Sequence, residues 1–310
     1  MQIPFFRQIQ NSSRILIAGC GGGYDLASGI PLHLYLQSLG KYTVLANLSF
    51  SQLAESGCEA VFPNCYLIDE NAANLPYFPE KHIAEWLAGS GCRAPVYAFA
   101  KTGVRPLRDA YRHLREKHRL DTVILADGGT DSLMFGDEWA TGTIVEDSLS
   151  VIAANAAGFE HRYLAAVGFG VEHDLDHYTL LQNMAELTRA QAFLGAQSIT
   201  AQMPEGAGFL SLTEYLNHQS SHRSIVTNGI AAAMRGSFGD IHFSLRTEGC
   251  EQFVNPLMPL YWFFRLDKLA ERLPFKEQVS DSETMQEYYR LYRIHRAIHG
   301  RRAGRRDLPI

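Results

Sequence analysis

The sequence predicts an α/β protein with a three-layer Rossmann-like fold and a mostly parallel sheet. Short apolar runs, which are typical of buried strands, alternate with longer segments whose apolar residues recur at helical spacing. This alternation is the pattern of a parallel sheet covered by helices. With 310 residues and 46% hydrophobic content, the chain can bury a large core, so we predict one α/β domain over residues 1–310.

The individual elements follow from apolar periodicity and from turn residues at their ends. The first strand, residues 14–19, is an apolar run that ends in glycines, as a buried parallel strand does. The other predicted strands cover residues 42–50, 65–69, 95–100, 122–129, 162–170 and 223–229. The predicted helices cover residues 24–40, 80–91, 105–118, 146–158, 174–192, 230–236 and 281–299.

Two segments differ from this alternation. Residues 201–222 are rich in Gly, Ser, Asn and Gln, which indicates an ordinary surface excursion, with a mobile lid as the alternative. The C-terminal tail, residues 296–310, is basic, and we expect it to be solvated because chain ends are usually poorly ordered. An arm that contacts a second subunit or an anionic ligand is the alternative. The arginines of this tail are Arg296, Arg301, Arg302, Arg305 and Arg306.

Composition narrows the class of protein. A net charge of −5 argues against a nucleic-acid binder. The five cysteines are odd in number and form no C-x-x-C pair, so we expect a reducing, cytoplasmic location without a disulfide framework or zinc knuckle. We see no signal peptide and no apolar run long enough to cross a bilayer, and therefore expect no membrane partner. A homo-oligomer is compatible with the sequence.

Polar residues gather where the predicted strands end. Ligands of open α/β sheets bind outside the carboxyl ends of the strands, so these residues are candidates for a binding site. Glycines, acids and bases follow several different strands, and their convergence on one edge is stronger evidence than any single motif. The predicted ligand-binding residues are Gly21, Gly22, Gly23, Asp25, Lys101, Gly128, Gly129, Thr130 and His173.

The glycine-rich loop at residues 19–23 is predicted to bind an anion. Its backbone amides can approach a phosphate, and the next helix offers the positive end of its dipole. It is not a dinucleotide fingerprint, because Tyr24 replaces the last glycine and the second strand ends without an acid; nor is it a P-loop. A tight turn without a ligand is the alternative. Asp25 is expected to cap the helix or to hold a hydroxyl, an amine or a metal.

The block ADGGTDSLMFGDE contains the predicted catalytic and metal-binding pair, Asp127 and Asp131. The two carboxylates lie four residues apart across a Gly-Gly turn and can converge on one cation. Hard oxygen ligands suit Mg²⁺, which we expect as the cofactor; alternatively, one carboxylate is a general base. Turn and cap roles are the structural alternative, but so many close acids repel each other unless a cation is present.

Two further groups complete the predicted site. Lys101 is expected to balance the charge of a phosphate or carboxylate. His173 and His177 lie four residues apart, but the H-E-x-x-H pattern of zinc hydrolases is absent, so we expect His173 to line the pocket. Cys20 is interpreted as a small buried side chain.

Three segments, GCGGGYDLASGIPL, DGGTDSLMFGDE and EDSLSVIAANAA, resemble a family catalogued as domain of unknown function 1152. The resemblance lies in a Gly-Gly-Gly-x-Asp loop after the first strand and an Asp-Gly-Gly-x-Asp-Ser block followed by Gly-Asp-Glu. These match residues 21–25, 127–132 and 136–138. The resemblance covers most of the chain and implies a single domain; it supplies no activity, substrate or catalytic residue.

The expected function is that of an enzyme that binds a phosphorylated small molecule or nucleotide at the strand ends. Mg²⁺-dependent group transfer or hydrolysis is the expected chemistry. A non-catalytic small-molecule sensor that uses the same pocket is the first alternative. The others are a nicotinamide- or flavin-dependent oxidoreductase, which the failed fingerprint disfavours, and nucleic-acid binding through the arginine tail.

Overall fold

A large mixed sheet, in which most strands run in one direction, organises the α/β fold of this protein. The computed structural model describes residues 1–172, 175–220, 222–243, 249 and 251–302. The strands are β1 (Arg14–Gly19), β2 (Tyr42–Leu48), β3 (Glu59–Phe62), β4 (Cys65–Ile68), β5 (Val96–Phe99), β6 (Thr122–Gly128), β7 (His161–Val167), β8 (Phe193–Ser198), β9 (Gly239–Asp240), β10 (Phe253–Val254) and β11 (Leu260–Arg265).

Helices fill most connections between these strands. They are α1 (Pro4–Gln8), α2 (Asp25–Ser38), α3 (Pro79–Ser90), α4 (Val104–His118), α5 (Ile144–Asn155), α6 (His177–Arg189), α7 (Pro204–Gln219), α8 (Ile225–Met234), α9 (Leu266–Ala270), α10 (Lys276–Val279) and α11 (Met285–His299). Side chains cap some of them: Asp176 accepts hydrogen bonds from the first turn of α6, and Thr284 does so for α11. None of the helices in the described ranges is long and apolar enough to cross a membrane.

The strand order of the nine-stranded sheet is β3-β4-β5-β2-β1-β6-β7-β11-β8. Strands β5, β2, β1, β6 and β7 are parallel, whereas β4 and β11 run antiparallel to their neighbours. The chain passes from β1 to β2, goes out to β3 at the edge of the sheet and comes back through β4 to β5 beside β2. It then crosses to β6 on the other side of β1 and continues outward to β7. This reversal makes a topological switch point between β1 and β6, where a crevice opens at the strand carboxyl ends.

The central strands are buried on both faces. Along β1, Ile15 and Ile17 belong to one group of buried side chains, and Leu16 and Ala18 belong to another. All four side chains are fully buried. A strand with two buried faces needs apolar residues at every position, which explains why the sequence shows continuous apolar runs rather than alternation.

Helix α2 packs very closely on the sheet at Gly29. A methyl group there would lie 2.7 Å from Cγ2 of Ile17 on β1 and 3.3 Å from Cβ of Ala126 on β6. Glycine therefore lets the helix cross directly over the two strands that flank the switch point. Asp25, one turn earlier in α2, is held above their carboxyl ends.

Most of the predicted elements are present, with one clear error. Residues 223–229 were expected to be a strand, but α8 begins there because Ser224 Oγ accepts a hydrogen bond from Thr227 N and caps a helix. Asn228 and Gly229 therefore do not follow a strand. The strands β3, β8, β9, β10 and β11 were not predicted, and the excursion at residues 201–222 contains α7.

The described part of the basic tail is tied to the protein. Arg296 Nη2 donates to Glu138 O at 2.7 Å, and Arg302 Nη2 donates to Glu138 Oε1 at 2.6 Å. Arg302 also bonds to Asp137. The expected solvated terminus is therefore wrong for Arg296 and Arg302, while residues 303–310 lie outside the described residues.

We predict opposite effects of alanine at two helical glycines. Gly29→Ala should destabilise the protein by about 1–3 kcal/mol, because the new methyl group overpacks a buried helix–sheet contact. Gly89→Ala, in exposed α3 backbone with nothing within 4 Å of the new methyl group, should stabilise it by about 0.5 kcal/mol through helix propensity. Urea denaturation of both variants measures this, and an equal stabilisation by both would contradict the packing described here.

Candidate functional site

Three aspartates from three elements meet at the switch point. Asp25 is the first residue of α2, Asp127 lies near the end of β6, and Asp147 is in the first turns of α5. One carboxylate oxygen from each lies within 4.8 Å of the other two. Asp127 and Asp147 are each only 1% exposed. We call Asp25, Asp127 and Asp147 the aspartate cluster.

Backbone packing brings the three carboxylates this close. A methyl group on Gly21 would lie 2.8 Å from Asp147 Oδ1, and one on Gly128 would lie 2.9 Å from Asp25 Oδ1. A side chain at either position would therefore occupy space beside the carboxylates. Gly22 and Gly23 have φ of +91° and +60°, a conformation that favours glycine and lets the loop fold back over β2.

The amides of the glycine-rich loop are used inside the protein. Gly21 N donates to Asp25 Oδ2 at 2.6 Å, and Gly23 N donates to Leu48 O at 3.3 Å. The amides of Gly22 and Gly128 also lower the pKa of Asp25. In the structure, the anion that the loop surrounds is thus the carboxylate of Asp25.

The other polar side-chain atoms of the site differ in whether they have a hydrogen-bond partner. Asp127 Oδ2 accepts a hydrogen bond from Ser132 N at 3.3 Å and another from Ser132 Oγ. Asp147 Oδ1 is buried and has no hydrogen-bond partner among the residues that the structure describes. Ser28 Oγ, one turn along α2, is likewise buried without a described partner. A methyl group on Gly128 would lie 2.8 Å from this hydroxyl, so it faces the same space as Asp25.

The electrostatics of the cluster are those of buried like charges. Burial, followed by the charge of Asp131, raises the pKa of Asp25 to about 7, against the effect of the loop amides. The same two causes, in the same order, raise the pKa of Asp127 and of Asp147 well above the usual range. The main influences on the pKa values of all three carboxyls are therefore burial and the charge of the neighbouring Asp131.

Asp131 lies beside the cluster but has its own partner. Its Oδ2 accepts hydrogen bonds from Thr143 N at 2.7 Å and from Thr143 Oγ1 at 2.6 Å. This contact ties the turn after β6 to the loop before α5. The predicted partner of Asp127 was Asp131. In the structure, the carboxylate oxygens grouped with that of Asp127 belong instead to Asp25 and Asp147.

The remaining predicted residues are spread around the cluster. Thr130 N donates to Glu172 Oε1 at 3.1 Å, and Gly129 packs against the same carboxylate. Lys101 Nζ lies 4.2 Å from the centre of the Phe50 ring, and Lys101 lines a cavity of about 510 Å³ with Glu146. His173 lies outside the described residues. Cys20 is a buried free thiol whose pKa is raised well above its usual value, first by burial.

The sequence did not reveal three acids of this region. Asp147 lies in the first turn of the helix predicted for residues 146–158, where acids are common, and its spacing from buried Ile144 and Val151 places it on the buried stripe of α5. Glu172 comes from the loop after β7. Glu80 reaches the end of β2 from α3, where its Oε1 accepts a hydrogen bond from Asn47 Nδ2 at 2.7 Å. Burial raises the pKa of Glu80 to about 7.

The fold and the site define an α/β protein with a buried carboxylate cluster at the switch point of its sheet. The chain belongs to the family described as "Protein of unknown function (DUF1152)", whose model matches residues 80–297. This confirms the family resemblance. The match includes Asp127, Asp131 and Asp147 and begins after Asp25 and the glycine-rich loop. No curated protein matches the chain.

We predict that Asp147→Asn stabilises the protein when divalent cations are chelated. A carboxyl whose pKa is raised by folding contributes stability below its unfolded pKa, near 4, and loses that contribution as pH rises through the folded value. Asparagine removes the cost of ionising the buried group, so the melting temperature in EDTA at pH 8 should rise by about 2–5 °C.

The gain should be smaller at pH 5, because a raised carboxyl pKa costs less stability as the pH falls toward the unfolded pKa. Asp281→Asn, an exposed matched substitution, should change the melting temperature little at either pH. Circular dichroism during thermal unfolding gives the melting temperatures of the wild-type protein and of both variants. Destabilisation by Asp147→Asn at both pH values would mean that the Asp147 carboxylate is stabilised by contacts other than those described here.

Proposed function

We propose that this protein binds Mg²⁺ between Asp25, Asp127 and Asp147 and uses it to bind and transform a phosphorylated small molecule or nucleotide. The ligand would lie at the strand carboxyl ends of a three-layer Rossmann-like fold. The observation that carries the proposal is the buried oxygen Asp147 Oδ1, which has no hydrogen-bond partner in the described chain and lies beside two other carboxylates. The proposed Mg²⁺ would be that partner.

The size of the repulsion supports a bound cation. Two unit charges at 4 Å cost about 4 kcal/mol at the effective dielectric constant of a protein, about 20. Three such pairs together would approach the entire stability of a typical domain, about 5–15 kcal/mol. The three carboxyls therefore either keep protons or share a cation. Three carboxyls that three separate elements bring together are typical of a cation site, so we favour the shared cation.

The chemistry of the donors favours Mg²⁺ over zinc. All three groups are hard carboxylate oxygens, and Ser28 Oγ can add a neutral oxygen. The nearby thiol, Cys20, has a pKa that burial raises, and its Sγ lies 3.7 Å from the backbone oxygen of Asp147. It is thus a poor source of the thiolate that zinc prefers.

A bound cation would neutralise phosphate oxygens that the acidic cluster otherwise repels. The chain supplies the rest of the proposed chemistry. Without a cation, Asp25 has a pKa of about 7, so it can release its proton near neutral pH and then bind the cation. Asp131, fixed by Thr143 at the edge of the cluster, raises the pKa of all three carboxyls and would act as the general base.

A non-catalytic sensor would use the same contacts, and turnover is what separates it from an enzyme. The protein would act in the cytoplasm.

We predict that Mg²⁺ or Mn²⁺ binding strengthens steeply with pH. The metal binds the deprotonated carboxylates, so each proton released makes the affinity rise about tenfold per pH unit below the relevant pKa. Isothermal titration from pH 6 to 8 should therefore show tighter binding and proton release. Asp127→Asn and Asp147→Asn should each weaken binding by about tenfold or more, and Asp281→Asn should not. Equal affinity in all variants would place the metal elsewhere.

We also predict a Mg²⁺-dependent stabilisation of the protein by phosphorylated ligands. A ligand at a hundred times its dissociation constant adds about 2.7 kcal/mol, which a thermal-shift assay with nucleotides and sugar phosphates detects readily. Asp127→Asn should abolish this stabilisation. For an enzyme, Asp131→Asn should remove turnover of the stabilising ligand while the fold is kept. Stabilisation that is unaffected by EDTA would contradict the proposed role of the metal.

A further inference from the structure

A second cavity has the opposite charge from the aspartate cluster. It occupies about 430 Å³ between the start of α5 and the C-terminal helix α11. We call it the arginine cavity. The side chains that matter for its chemistry are Arg293, Arg296, Arg301, Thr141, Tyr289 and Tyr292. Its volume lies in the range of small-molecule pockets, about 300–1,000 Å³.

The arginines of this cavity keep their positive charge available. Arg296 donates to three neutral acceptors: Tyr292 OH at 2.8 Å, Thr141 Oγ1 at 3.2 Å and Glu138 O at 2.7 Å. Within the described ranges, no carboxylate lies within 4 Å of Arg293, Arg296 or Arg301. The neighbouring Arg302, in contrast, pairs with Asp137 and Glu138.

Aromatic rings hold these guanidinium groups. Arg293 lies over Tyr289 at 5.8 Å from the ring centre, Arg296 over Tyr292 at 5.7 Å, and Arg301 over Trp139 at 5.6 Å. Such contacts orient a planar guanidinium without neutralising it. Three oriented guanidinium groups around one cavity are the donors that phosphate groups require.

The start of helix α5 adds to the positive potential of the arginine cavity. Ile144 and Val145, in its first turn, line the cavity, and the helix is 12 residues long. Thr143, its N-cap, makes no side-chain cap bond to the helix and donates to Asp131 instead. The first turn of a helix favours negative charge, so it complements the arginines on the facing wall.

We propose that the arginine cavity binds a small molecule through a phosphate or pyrophosphate group. The site is separate from the proposed Mg²⁺ site and does not need the cation, because its own side chains supply the positive charge. It is nevertheless a neighbour, since Gly142 lines this cavity and a methyl group there would lie 2.8 Å from Asp131 Cβ.

The test is titration of the full-length protein with inorganic pyrophosphate in EDTA, followed by calorimetry at fixed ionic strength. Arg293→Gln and Arg301→Gln should each weaken binding about tenfold, and the double variant about a hundredfold, as loss of charge-assisted hydrogen bonds does. Arg290→Gln is the matched control: it lies on exposed α11 surface three residues from Arg293 and does not line the cavity. It should weaken binding less than twofold.

Unchanged melting temperatures would show that the variants fold. Absence of pyrophosphate binding to the wild-type protein, or equal losses in Arg290→Gln and Arg293→Gln, would overturn the proposal. Because EDTA is present throughout, a failure here is independent of whether the aspartate cluster binds Mg²⁺. Binding that disappears in Asp127→Asn under these conditions would also overturn it, since the site would then depend on the cluster.

Discussion

The burial of three mutually repelling carboxylates at one point of the sheet is the constraint on which the rest of the site depends. The parallel pairing of β1 with β6 places Asp127 beside the loop that leads to Asp25, and α5 brings Asp147 from the opposite side. Glycine at positions 21 and 128 leaves room for the carboxylates. Such an arrangement lowers the stability of the folded protein. Carboxyls whose pKa values are shifted in this way are found most often at functional sites.

Charge is separated sharply across a short loop. On one side of residues 141–143, Asp131 and the aspartate cluster form an acidic, buried region; on the other side, the arginine cavity is basic and open. Thr143 connects the two, because its N–H and hydroxyl both donate to Asp131 while the helix that follows it faces the arginines. The proposed neighbouring sites, one for a cation and one for a phosphate, would have the arrangement that phosphate chemistry requires.

Part of this could be predicted from sequence, for identifiable reasons. The central strands are continuous apolar runs. Asp127 directly follows such a run, and Asp25 follows the glycine-rich loop after another, so local patterns placed both residues at the edge of the sheet where the structure has them. Asp147 and Glu80 were not predicted as site residues because helices bring them to the site, and residue spacing does not show which parts of the chain meet in the folded protein.

The strand expected at residues 223–229 is absent because the helix cap at Ser224 outweighed the strand preference of the β-branched residues. The antiparallel strand β11 was not predicted because its aromatic run, LYWFFR, fits a strand or a helix equally well.

The most direct test of the account is a crystal of the protein grown or soaked with Mn²⁺, a substitute for Mg²⁺ that scatters anomalously. We predict an anomalous peak about 2.0–2.3 Å from carboxylate oxygens of Asp25, Asp127 and Asp147. A peak at this position would establish the cation that the cluster implies. A well-ordered cluster without such a peak, at saturating Mn²⁺ and pH 8, would contradict the central claim.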